Sequence, residues 1–211
     1  MRDGVARHMK GDLDGAKAAY RAVLDEDSEN IDALHLLGSV LGQQGQLGPA
    51  RGLLERALEI APGHSAAMVD LGNVYRADGD SKRALECYFN ALGVSPDDTA
   101  AHRNVGYMQL ELGNEREGLE HLKRAVEADP DVLQDQFMLA ETLAKSGAHA
   151  EAIPHYEKAV ALNPDLAVAH NHLAYSLSVC GSRDAAVEHY VKAIELDPND
   201  YVARNDFGLL L

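Results

Sequence analysis

Ten histidines in a chain of formal charge −15 raise the question of metal binding first. His121, His155 and His189 follow one another at intervals of 34 residues, with Cys87 one interval earlier. Zinc requires its His or Cys donors at about 2.0–2.3 Å. Equivalent residues on successive packed helices lie roughly 8–10 Å apart, so such a column cannot converge on one ion. These histidines read as half-exposed polar positions, and no metal or other cofactor is expected. His102 and His170 share a column with Leu34 and Met68 and read as packing residues. Cys87 and Cys180 lie far apart in the series and form no Cys-His-Asp arrangement. Gly42, Gly45 and Gly48 lack the spacing of a dinucleotide loop, and the acidic stretch 25–30 lacks the glycine and distal glutamate of a calcium loop. There is no phosphate-binding loop, zinc-protease helix or serine nucleophile elbow. No catalysis is expected of these residues.

Composition narrows the classes further. The chain has 211 residues, 46% hydrophobic and 25% charged, which is an ordinary globular balance. Trp is absent and aromatic residues make up 5%, so the core must rest on Ala, Leu and Val. Thirty-four acidic residues against 19 basic give the wrong sign for neutralising phosphates, so nucleic acid is not an expected partner. Anionic membrane surfaces are disfavoured for the same reason. No run approaches a membrane span, so no membrane insertion is expected, and the first ten residues lack the apolar region of a signal peptide. Two cysteines, read as free thiols, suit a reducing compartment. The expectation is a cytoplasmic protein.

The elements that position the polar residues follow from a repeat. Glycine stands at Gly11, Gly45, Gly79, Gly113, Gly147 and Gly181, every 34 residues without a break. Pro62, Pro96, Pro130, Pro164 and Pro198 keep the same interval. A small column runs Gly4, Gly38, Gly72, Gly106, Ala140, Ala174, Gly208, and a large one runs Tyr20, Leu54, Tyr88, Leu122, Tyr156, Tyr190. Within one repeat, Leu34, Leu37 and Leu41 keep helical spacing before Gly45, and Ala50, Leu54, Ala57 and Leu58 do so before Pro62. Each repeat is therefore two antiparallel helices with glycine at the turn and proline at the exit. Pro49 falls harmlessly in a first turn, whereas Pro154 lies deeper and should distort the start of its helix. A single hairpin cannot bury its own apolar face, so neighbouring repeats must stack. The expected architecture is one all-α solenoid of stacked antiparallel helix pairs over 1–211. Full repeats occupy 31–64, 65–98, 99–132, 133–166 and 167–200, flanked by partial ones at 1–30 and 201–211.

Leu71-Gly72, Tyr75, Gly79, Ala84, Tyr88, Ala91 and Pro96 resemble the tetratricopeptide repeat, and the resemblance extends over essentially the whole chain. It implies a right-handed superhelix whose concave groove is lined by the first helix of each pair and holds a partner's peptide or helix. Projecting those helices gives Asn73, Arg76, Arg103, Asn104, Tyr107, Phe137, Glu141, Asn171, His172 and Tyr175 as the partner-binding residues. Their mixture of amides, charges and aromatics can bond a peptide backbone and offer apolar pockets. A mixed or mildly basic peptide would suit it. One subgroup of the family grips C-terminal carboxylates with Lys, Arg and Asn. Val69, Asn73, Asn104, Gln134 and Met138 hold the matching places and include no basic residue, so that capture is not expected. An asparagine ladder like that of O-linked N-acetylglucosamine transferase arms is likewise broken by Leu36, Asp70, Met138, His172 and Asp206.

The leading expectation is a non-catalytic protein-interaction scaffold or adaptor with a protein or peptide partner. Two alternatives come from the ends. The chain begins within a first helix and stops within another, as would a substrate-recruiting arm excised from a larger glycosyl-, sulfo- or methyltransferase. Alternatively, Tyr201, Phe207, Leu209, Leu210 and Leu211 form an apolar surface through which copies could join as a homo-oligomer.

Overall fold

A computed structural model describes residues 1–210. Among the described residues there are thirteen α-helices and no strand. In order they are α1 (Arg2–Met9), α2 (Leu13–Glu26), α3 (Ile31–Gln43), α4 (Leu47–Ile60), α5 (Ser65–Ala77), α6 (Ser81–Val94) and α7 (Thr99–Glu111). They continue as α8 (Glu115–Ala128), α9 (Leu133–Lys145), α10 (His149–Leu162), α11 (Ala167–Val179), α12 (Arg183–Leu196) and α13 (Tyr201–Leu210). The chain divides into two compact units, an N-terminal one over Met1–Met108 and a C-terminal one from Gln109 onward.

The six glycines of the 34-residue series end the first helices in one way. Each has φ between +74° and +84°, a region closed to most side chains. At Gly45 its N–H donates to the Gly42 carbonyl, while Gln46 N–H reaches back to Leu41 at 2.9 Å. Asp80 to Tyr75 and Ala148 to Leu143 repeat the longer bond, also at 2.9 Å. This pair of bonds satisfies carbonyls that a helix end otherwise leaves open.

Proline exits are secured by a different column. His102 Nε2 lies 2.9 Å from the Pro96 carbonyl, Gln136 Nε2 donates to Pro130 at 2.8 Å, and His170 Nε2 lies 3.0 Å from Pro164. Arg204 contacts the Pro198 carbonyl in the same way. His102, Gln136 and His170 are buried, so the packing role of the two histidines includes a hydrogen bond. Pro154 lies inside α10, whose first turn holds a tight Glu151-to-Ala148 bond beside the regular one from Ala152, both 3.1 Å.

In the N-terminal unit the large column is wholly buried at Tyr20, Leu54 and Tyr88, packed with Leu37, Leu41, Leu71 and Val74. A Cβ on Gly72 would come within 2.4 Å of the Tyr88 ring, and one on Gly38 within 2.7 Å of Leu54. Glycine is thus required there by close approach rather than by φ. In the C-terminal unit the core is Leu122, Leu139, Tyr156, Leu173 and Tyr190, with Ala140 and Ala174 replacing glycine in the small column.

Candidate functional site

The first helices place their non-core positions on one face, and successive first helices meet at a fixed offset. His35 lies 2.9 Å from the Asp70 carboxylate, 35 residues on. Phe137 stacks on His172, again 35 residues on, with ring centroids 5.6 Å apart and an interplanar angle of 16°. The offset is one repeat plus one residue, so each face position reaches the next position of the following repeat.

In the N-terminal unit some residues of this face and of its neighbouring elements pair with one another. Tyr88 hydroxyl donates to Asn73 Oδ1 at 2.9 Å, and Ser65 hydroxyl donates to Asp98 at 2.6 Å. Asn73 also borders a shallow cleft of about 180 Å³ with Ser39, Gln43 and Asp70. Arg76 is exposed, while Arg103, Asn104 and Tyr107 are half-buried on α7.

In the C-terminal unit five of the expected residues gather. Phe137, Glu141, Asn171, His172 and Tyr175 come from α9 and α11. All but Phe137 line a cleft of about 360 Å³, which Tyr156, His149 and Asp206 complete. Phe137 supports His172 from behind and meets Tyr156 edge-on at 5.9 Å. Tyr175 is exposed and meets the His149 ring at 5.5 Å. Glu141 pairs with Lys145 at 2.8 Å. Asn171 is only 5% exposed, yet its Oδ1 has no hydrogen-bond partner, and neither does the buried Nδ1 of His172. Burial lowers the His172 pKa from its usual 6.5, so the ring stays neutral near pH 7. Burial also raises the Tyr156 pKa, which keeps its hydroxyl protonated.

Two residues of this cleft escape a projection of first helices. His149 opens a second helix, and Tyr156 belongs to the column read as core. Asp135 is a further omission. It is wholly buried where the other repeats carry Ala33, Ala67, Ala101, Ala169 and Ala203, a break in a uniform column that was legible in the sequence.

The histidine column pairs with the proline-bonding column. His155 Nδ1 lies 2.8 Å from Gln136 Oε1, and His189 Nδ1 lies 2.9 Å from His170 Nδ1. Since His170 Nε2 faces a carbonyl, it carries the proton; neutral His170 then accepts at Nδ1 from His189. Among the described residues no group of three or more His, Cys, Asp or Glu side chains is placed to hold a metal ion. Burial pushes the Cys87 thiol up to about 11, leaving little thiolate for nucleophilic chemistry near neutrality. Cys180 is exposed at the end of α11. Among the described residues no helix is long and apolar enough to cross a membrane. In α13, Tyr201 is 79% and Leu209 80% exposed. Phe207 and Leu210 are half-buried, Phe207 with its ring 6.0 Å from that of Tyr190. Leu211 lies outside the described residues.

Helix pairs repeated at a fixed interval, with polar and aromatic residues on the first-helix faces, define a helical-repeat protein of the kind that presents surfaces to other proteins. Tetratricopeptide-repeat family models match residues 43–188 and 8–67, and the chain belongs to that family. Human tetratricopeptide repeat protein 7A is 30% identical over 84 residues, 40% of this chain and 10% of that protein's length. The crystal structure of YrrB, described as a tetratricopeptide-repeat protein with an unusual peptide-binding site, aligns with a TM-score of 0.74 at 23% identity. That alignment covers 89% of this chain and 96% of YrrB. Pseudomonas aeruginosa pilF aligns with a TM-score of 0.83 at 17% identity, over 98% of this chain and 93% of pilF. These likenesses establish the fold. Such a fold is typically non-catalytic and suggests a protein-interaction scaffold.

Proposed function

We propose that the chain is a non-catalytic scaffold that binds a partner's peptide or helix along the faces of its first helices. The contacts are assigned to Asn73, Arg76, Arg103, Asn104 and Tyr107 in the N-terminal unit and to Phe137, Glu141, Asn171, His172 and Tyr175 in the C-terminal unit. The observation that carries this reading is a pair of buried, unpartnered polar atoms, the acceptor Asn171 Oδ1 and the ring nitrogen His172 Nδ1, at a cleft walled by aromatic rings. Leaving a buried acceptor open costs about 1–3 kcal/mol, a penalty that a donor from a ligand would offset. The peptide-binding site described for YrrB gives the reading a precedent on the same fold. Randomised peptides selected on the immobilised full chain test it. Alanine at Arg103, Asn104 and Tyr107 should abolish capture by that stretch while leaving helicity and melting temperature nearly unchanged. A triple variant that retains every selected peptide at full affinity contradicts the assignment.

A second reading is self-association through α13, supported by the exposure of Tyr201 and Leu209. It predicts a concentration-dependent mass in dilution-series light scattering. A monomer at every concentration rejects it.

A further inference from the structure

The cleft of the C-terminal unit is lined by two carboxylates, Glu141 and Asp206, and by the unpartnered amide oxygen of Asn171. Asn171 and Asp206 hold the places that His35 and Asp70 hold four repeats earlier, and both line the cleft. One brings an unpartnered amide oxygen and the other a carboxylate, so both offer acceptors to a ligand. Glu141 adds a second carboxylate, and His172 Nδ1 becomes another acceptor when its ring proton sits on Nε2. Among the lining residues Lys145 is the one lysine or arginine. Its ammonium rests on Glu141 with the side chain 67% exposed, so it holds that carboxylate from the solvent side. Two carboxylates against one ammonium leave the lining negative. The walls are aromatic, formed by Tyr156, Tyr175 and the face of His172 that Phe137 does not cover.

Each class of ligand group can be set against this lining. A carboxylate or phosphate would meet the like charges of Glu141 and Asp206. An apolar side chain would leave Asn171 Oδ1 and His172 Nδ1 unpaired. A guanidinium carries five N–H donors and no acceptor, lies flat and stacks on aromatic faces. An ammonium offers three donors and no plane. We infer that the cleft receives an arginine side chain of the partner segment, with its N–H groups on Asn171 Oδ1, His172 Nδ1 and the carboxylates of Glu141 and Asp206. The inference rests on the scaffold reading above and specifies one anchor within it.

The test titrates N-acetyl-L-arginine N-methylamide, and separately its neutral citrulline analogue, into the full chain while following backbone amide and histidine ring resonances. Saturable shifts should concentrate on α9, α11 and α13, with citrulline weaker by at least about tenfold. Glu141→Gln combined with Asp206→Asn should weaken arginine by a similar factor. Glu127→Gln combined with Glu195→Gln removes the same charge from exposed second-helix positions and should leave the affinity unchanged. Equal binding of citrulline, or equal loss in both double variants, overturns the arginine site. Randomised peptides that bind the first-helix faces without enrichment for arginine overturn it too, but leave the scaffold reading standing. Failure of every peptide to bind those faces overturns the scaffold reading itself.

Discussion

The two units share one template and spend its free positions differently. In the N-terminal unit five helices begin with a side-chain cap: Asp12 on Gly15, Asn30 on Ala33, His64 on Ala67, Asp80 on Arg83 and Asp98 on Ala101. Its face residues pair with one another, as in Tyr88 with Asn73 and His35 with Asp70. In the C-terminal unit α8 to α12 start at Asn114, Val132, Ala148, Leu166 and Ser182, none with a side-chain cap, while Asp200 caps α13 through the Ala203 N–H. Acceptors at its cleft stay open, and three of its histidines are held neutral by burial. Capping is thus more frequent in the N-terminal unit, although α1 and α4 start there without a side-chain cap and the buried Tyr20 hydroxyl has no hydrogen-bond partner.

Acid should separate the units most. Burial lowers the pKa of His155, His172 and His189, with the neighbouring His170 lowering His189 further. In the unfolded chain these rings take up protons near the ordinary value of 6.5, while in the folded chain they resist until lower pH. The unfolded state therefore binds more protons below about pH 6.5, and the C-terminal unit loses stability as pH falls through that range. Amide exchange followed residue by residue from pH 7.5 to 5 should show α10 to α12 losing protection before α3 to α6. Loss in the reverse order would break the comparison.

A smaller effect tests the packing difference. Gly72→Ala places a methyl group against the Tyr88 ring, which is wholly buried and tethered to Asn73. The expected loss is about 1–3 kcal/mol, exceeding the roughly 0.5–1 kcal/mol gain in helix propensity. In the C-terminal unit Ala140 already coexists with buried Tyr156 in the equivalent places, so Ala140→Gly should lower stability only by that propensity difference. Urea melts of the two variants decide it. A Gly72→Ala chain more stable than its parent would show that the ring yields, and that glycine is not required there.

Most of the fold was legible because the template repeats without insertion. The turn glycines and the Tyr/Leu column each fix a local geometry six times over, and the proline exits do so five times. The face itself was legible as a set of positions, and five of its residues do gather in the C-terminal unit. Which of them pair was not, because pairing depends on the 35-residue offset between successive first helices rather than on the 34-residue period. Asn73 illustrates the point: it is on the expected face but already engaged by a core tyrosine. Tyr156 is the converse, a residue of the core column that borders the cleft. The partners of His155 and His189 were not legible, because finding them required two columns to be seen side by side.

The smallest effect isolates capping from everything else. Ala148 precedes α10 where Asp12 and Asp80 stand in the N-terminal unit, and each of those aspartates accepts the N–H of the residue three places on. At α10 the corresponding N–H belongs to Glu151, which donates instead to the Ala148 carbonyl in the tight first turn that precedes Pro154. Ala148→Asp supplies a carboxylate to that N–H and places negative charge at a helix start, for an expected gain of about 1 kcal/mol. Asp80→Ala should lose a similar amount from α6. Equal and opposite changes in urea midpoint would show that the units differ at these positions by their caps alone. No gain at Ala148 would mean that the distortion Pro154 imposes has already fixed the first turn of α10 against a cap, so the asymmetry would lie in the backbone of that helix rather than in the residue before it.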